Sequence, residues 1–248
     1  MYTVLAIGNS FSEDATYFLH QILEMEGIEN TIINLYIGGC SLENHWRNIE
    51  TNSCSYQFQK NGIKTDRYVS IQEMLKEYHF DAIVTQQASG DSGWENTYEP
   101  FLELILDYLR QNCSAKIYLN QTWAYETDST HGCFMRYRRN QQQMFQALTK
   151  AYEEASKRHH LPLIKSGEVV QKIRKLDTFK NGERCITRDG FHMNYLYGRY
   201  AVALTWAKSL TDIDVIKTRF IPSIDFMPLE NADLDLLKQI KQVVKNIE

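Results

Sequence analysis

The strongest constraint on this chain is an alternation of short, β-rich apolar runs with longer segments of helical spacing. Residues 2–7, 31–37, 82–86, 116–119 and 163–164 each suit a short buried strand. Helical periodicity fills residues 15–25, 71–78, 98–111, 136–158, 195–209 and 232–247, and Gly27 closes the first of these. Strands separated by helices must be joined by crossovers, which makes them parallel and covers both sheet faces. The sequence thus predicts an α/β fold, a three-layer sandwich on a five-stranded parallel sheet. One segment departs from the alternation. Residues 56–65 alternate around Asn61-Gly62, which predicts a small β-hairpin inserted between the second and third sheet strands, at the rim of an active site. No repeat, low-complexity tract or Pro/Gly/Ser linker interrupts residues 1–248, so a single domain is expected.

Composition narrows the function classes. With 27 basic and 31 acidic residues the formal charge is -4, without the cationic excess that nucleic acid or an anionic membrane selects. The five cysteines are odd in number, scattered and free of any CxxC pair, so neither a disulfide framework nor a zinc site is implied and no metal or organic cofactor is expected. Reduced thiols make a cytoplasmic setting the default, with a periplasmic or secreted form the alternative if a leader was removed. No run approaches the roughly 18 apolar residues that span a bilayer.

In open α/β sheets, ligands bind at the loops leaving the carboxyl ends of the strands. After the first strand that loop reads Gly8-Asn9-Ser10-Phe11-Ser12, and Ser12 or Asp14 is available to cap the following helix. A hydroxyl and an amide at a helix N-terminus suit developing negative charge. A plain N-cap role for Ser10 or Ser12 explains the same residues. A phosphate-binding loop is disfavoured, because Glu13 and Asp14 follow at once and no lysine offsets them. A serine nucleophile needs a base, and the base needs a carboxylate to fix its tautomer. Asp189-Gly190-Phe191-His192 supplies both within four residues.

Taken together, the Gly8-Asn9-Ser10-Phe11-Ser12 and Asp189-Gly190-Phe191-His192 blocks resemble the opening and closing blocks of the SGNH/GDSL hydrolases. The nearest branch is an uncharacterised bacterial set with Asn in place of the opening-block Asp. The resemblance implies a flavodoxin-like fold with strand order 2-1-3-4-5, Ser10 as nucleophile and Asp189 and His192 as its partners. It further implies an oxyanion hole built from the amides of Ser10 and of Gly39, with Gly38 the neighbouring candidate. Where the family has Gly-x-Asn after the third strand, this chain has Gln86-Gln87-Ala88-Ser89. The Gln87 side chain then becomes the expected third donor, with Gln86 as the alternative.

The activity implied is hydrolysis of small acyl esters, acetyl esters first, on a small molecule or a glycan, through an acyl-serine. Activity should rise with pH as the imidazole loses its proton. Trp123 and Tyr125, on the loop after the fourth strand, are the expected substrate wall. The competing readings are a non-catalytic carbohydrate-binding protein and a flavodoxin-like nucleotide binder.

Overall fold

The computed structural model describes residues 1–224 and 232–247. Among them, seven strands form one sheet: β1 (Tyr2–Gly8), β2 (Asn30–Tyr36), β3 (Tyr56–Lys60), β4 (Ile63–Val69), β5 (Ala82–Thr85), β6 (Lys116–Asn120) and β7 (Leu163–Ile164). Ten helices accompany them: α1 (Ser10–Thr16), α2 (Leu19–Met25), α3 (Leu42–Glu50), α4 (Ile71–Glu77), α5 (Phe101–Asn112), α6 (Gln141–His159), α7 (Ser166–Ile173), α8 (Asp177–Lys180), α9 (Tyr197–Thr211) and α10 (Leu234–Lys245).

The sheet order is β4-β3-β2-β1-β5-β6-β7. Neighbours from β2 through β7 pair parallel, whereas β3 pairs antiparallel with both β2 and β4. The expected five-stranded parallel, flavodoxin-like sheet with a separate hairpin is therefore corrected to a seven-stranded mixed sheet that includes the hairpin. The outer edge of β2 would otherwise present unpaired amides and carbonyls. The turn locks the hairpin onto that edge, since the Asn61 side chain accepts from the Ile32 amide at 2.9 Å and the Asn61 amide donates to the Ile32 carbonyl at 2.8 Å. Asn61 and Gly62 have φ of 54° and 81°, the two left-handed residues that a tight hairpin turn requires.

β1, β2 and β5 are buried along almost their whole lengths, as strands covered on both faces must be. Chain progression reverses at β1: β2 lies on one side of it and β5, β6 and β7 on the other. Right-handed crossovers then place α1 and α2 on the opposite face from α5 and α6. α1 and α2 pack against α9, which also meets α7 and α10, while α3 packs against α5. Because α9 is enclosed by helices and sheet, it is buried nearly all round.

Several helix boundaries differ from expectation. The segment beginning near residue 15 is two helices, α1 and α2, broken at Tyr17 and Phe18. At that break the Tyr17 ring lies beneath the Arg199 guanidinium, 4.1 Å from ring centroid to Cζ. The long helix starts at Gln141 rather than 136, because Arg138 and Arg139 take positive φ. α3, α7 and α8 were not expected from periodicity.

A Cβ on Gly62 would lie 2.4 Å from the Tyr17 carbonyl oxygen, on backbone with little room to move. Gly62→Ala should therefore destabilise the fold by about 2 kcal/mol or more, read from the urea midpoint at unchanged m-value. An unshifted midpoint would show that the hairpin turn contributes nothing to stability.

Candidate active site

The reversal at β1 is a topological switch point, where the loops after β1 and β5 leave for opposite faces and where open α/β sheets bind ligands. Ser10 stands there as the first residue of α1. The cap is neither Ser12 nor Asp14: Asn9 Oδ1 accepts from the Phe11 amide at 3.1 Å. Gly8 is needed for close approach, since a Cβ there would lie 2.4 Å from Ser12 Oγ. Ser10 is half-buried, and among the described residues its hydroxyl has no hydrogen-bond partner. As the first helical residue it also has no intrahelical acceptor for its amide.

A belt of neutral amides fixes this loop. Gln86 Nε2 donates to Asn9 Oδ1 (2.9 Å), and Asn120 Nδ2 donates to Gln86 Oε1 (2.6 Å). Asn120 Oδ1 in turn accepts from Ser166 Oγ (2.7 Å) and Trp206 Nε1 (3.0 Å). Toward β2, Asn9 Nδ2 donates to the Cys40 carbonyl at 3.1 Å. That bond ties the serine loop to the Ile37–Cys40 turn, where Gly39 takes φ of 64° and the Cys40 amide closes on the Ile37 carbonyl. Gly39 is exposed, and its amide has no backbone acceptor among the described residues.

Asp189 and His192 form a tight local unit. His192 Nδ1 lies 2.6 Å from Asp189 Oδ2, while the amides of His192 and Phe191 donate to Oδ1 at 2.8 and 3.2 Å. Gly190 makes the reversal possible, with φ of 88°. A carboxylate only accepts, so Nδ1 carries the proton and the neutral ring presents its lone pair at Nε2. Partial burial would raise the Asp189 pKa, but the hydrogen bonds from the His192 ring and amide prevail and hold it below its ordinary value.

Asp14 brings the two ends of the chain together. Its carboxylate is fully buried and accepts from Arg188 Nη1 (2.9 and 3.2 Å), Arg199 Nε (2.8 Å) and the Met193 amide (2.8 Å). The segment carrying His192 is thereby fastened to the helix that begins at Ser10. Phe11 completes the contact: it stacks on Trp123 at 4.1 Å between centroids and turns an edge to the His192 ring at 6.2 Å.

Other residues take different places from those expected. The Gln87 amide is fully buried, with Nε2 committed to the Thr97 carbonyl and hydroxyl (2.9 and 3.1 Å) and Oε1 to the amides of Leu42 and Ala88. It has no free donor for an oxyanion; it staples the β5 loop to α3. Trp123 and Tyr125 are both 0% exposed and so do not form a substrate wall. Trp123 Nε1 supports the Phe191 carbonyl at 2.7 Å, and the Tyr125 hydroxyl meets Ser89 Oγ at 2.8 Å. In their place, the half-buried Phe191 and His131 border the site. No sequence motif marked His131. Among the described residues no group of three or more His, Cys, Asp or Glu is placed to hold a metal ion, and no helix is long and apolar enough to cross a membrane.

Removing the Asp14 carboxylate strands two guanidinium groups in a buried setting. Asp14→Ala should cost about 3–5 kcal/mol of unfolding free energy by chemical denaturation, well above the cost of an exposed ion pair. A loss below about 1 kcal/mol would show that the clamp does not hold the fold's two ends together.

No curated protein matches the sequence. Among solved structures, an acetyl xylan esterase superposes with a TM-score of 0.55 at 15% identity, covering 83% of this chain and 98% of its own. A lipase/acylhydrolase from Enterococcus faecalis gives 0.55 at 16% identity over 84% and 94%. At such identities these likenesses show a shared fold, the one used by SGNH/GDSL-type hydrolases. A protein of the DUF4886 family from Bacteroides uniformis is much nearer, at TM-score 0.90 and 34% identity over 99% of this chain and 93% of its own. The family model for DUF4886, a domain of unknown function, matches residues 3–228, and the chain belongs to that family.

Proposed function

We propose that this protein is a serine hydrolase of the SGNH type, cleaving small acyl esters, acetyl esters first, through an acyl-serine. The observation that carries the reading is the Asp189–His192 pair, its Nε2 unengaged, held by Asp14 against the helix that starts at Ser10. His192 Nε2 takes the Ser10 proton as Oγ attacks the ester carbonyl, and Asp189 stabilises the imidazolium. The amides of Ser10 and Gly39 receive the oxyanion; Gln87 takes no part. The imidazolium then protonates the departing alcohol, and a water activated by the same ring releases the acid. The likeness to an acetyl xylan esterase supports an acetyl ester as substrate.

Incubation with a serine-reactive organophosphonate, followed by intact mass, tests the assignment. The wild type should gain one adduct and Ser10→Ala none; an adduct persisting in Ser10→Ala would contradict it. His192→Ala should lower kcat by on the order of 10⁴-fold or more while leaving the fold intact.

The pH profile follows from the lowered Asp189 pKa. A carboxylate held below its ordinary value stays ionised well into acid, so Asp189 adds no second protonation to the loss of activity there. The acid limb of log kcat/KM should thus have a slope of one. A slope of two would mean that Asp189 titrates together with His192.

A further inference from the structure

Phe191 connects two imidazoles. Its ring centroid lies 4.1 Å from that of His192 and 4.7 Å from that of His131, which in turn rests 4.6 Å from Tyr125. Tyr125 is fully buried, whereas Phe191 and His131, like His192, reach solvent. The orientation of His131 can be assigned from its backbone partner. Nδ1 accepts from the Cys133 amide at 3.2 Å, capping the turn at Gly132–Tyr137, so Nε2 carries the hydrogen. That N–H has no acceptor among the described residues. Burial, and then the neighbouring His192, lower the His131 pKa, with Asp189 pulling the other way, which favours a neutral N–H donor.

The position of the row decides what it faces. The Gly39 turn follows β2 and the His131 loop follows β6, on opposite sides of β1 and Ser10. In acyl transfer the alcohol leaves on the side of the imidazole that protonates it, away from the oxyanion donors. A ring plane and an unpartnered donor beyond His192 therefore lie on the alcohol side. An apolar alcohol would bury the His131 N–H without a partner, at a cost a hydroxylated alcohol avoids.

We propose that Phe191 and His131 form a subsite for a sugar alcohol, stacked on the Phe191 ring, with His131 Nε2–H donating to one of its oxygens. This rests on the serine-hydrolase reading and adds the class of the leaving group.

Two substitutions separate the donor from the cap. In His131→Asn the amide oxygen replaces Nδ1 as the cap acceptor and the outer donor is lost; in His131→Gln the amide nitrogen restores a donor near Nε2. On an O-acetylated methyl glycoside, kcat/KM should fall about 10-fold or more in His131→Asn, chiefly through KM, and recover in His131→Gln. On p-nitrophenyl acetate, whose leaving group has no hydroxyl to meet, His131→Asn and His131→Gln should not differ from each other, so the gap between them is confined to the sugar ester. An equal gap on both substrates, or no gap on either, would overturn the subsite. Binding of the unacetylated methyl glycoside to Ser10→Ala, followed through the His131 ring resonances, separates the two proposals. Perturbed resonances without any ester hydrolysis by the wild type would keep the sugar subsite and remove the hydrolase. Aryl-ester hydrolysis with no sugar-induced perturbation would do the reverse.

Discussion

A single buried carboxylate, Asp14, joins the first helix of this protein to its last third. Its partners Arg188, Met193 and Arg199 lie 174 to 185 residues away in sequence, and all reach it from one segment and the start of α9. Such a group is costly to bury alone and well compensated when two guanidiniums and an amide surround it. The gain is geometric. Ser10 is placed by the end of β1 and His192 by a four-residue turn with Asp189, and the Asp14 contacts set one against the other, together with the Phe11 ring, which meets both His192 and the Trp123 that supports the Phe191 carbonyl.

Around that charged anchor, neutral amides do the positioning. Asn9, Gln86 and Asn120 cross the carboxyl ends of β1, β5 and β6, each with its donors and acceptors matched to the next. This explains why an Asn suits position 9. Asn9 must donate to the Cys40 carbonyl and also accept from Gln86 and the Phe11 amide, and a carboxylate has no hydrogen for the first task. Asn9 and Gln86 are thus one device, fixing both the serine loop and the glycine turn beside it. The Gln87 side chain, similar in chemistry, points instead into a closed contact with Thr97 and α3.

The parts legible in the sequence were those set by local pattern. The β-rich runs located the parallel strands, Asn61-Gly62 located the hairpin turn, and the Asp189 to His192 spacing located the imidazole–carboxylate pair. The hairpin's membership of the sheet was not legible, since it depends on an edge of β2 that is open only once the strands are ordered. α3 did leave a signal: Ser41 as cap, with Leu42, His45, Trp46 and Ile49 at helical spacing. Gln87, Trp123 and Tyr125 have residue types suited to a site, yet each turns inward to partners distant in the chain. Asp14 read as a candidate helix cap and as a charge unfavourable to phosphate, because its partners stand at the other end of the sequence. His131 lay in a loop with no motif.

The Asp14 contacts set the register between Ser10 and His192. The rate of phosphonylation of Ser10, compared between wild type and Asp14→Asn where circular dichroism shows both folded, tests it most directly. Displacing the imidazole by about 1 Å should slow labelling by about 100-fold. An unchanged rate in the folded variant would contradict the account, because the two ends would then be aligned by something other than this carboxylate.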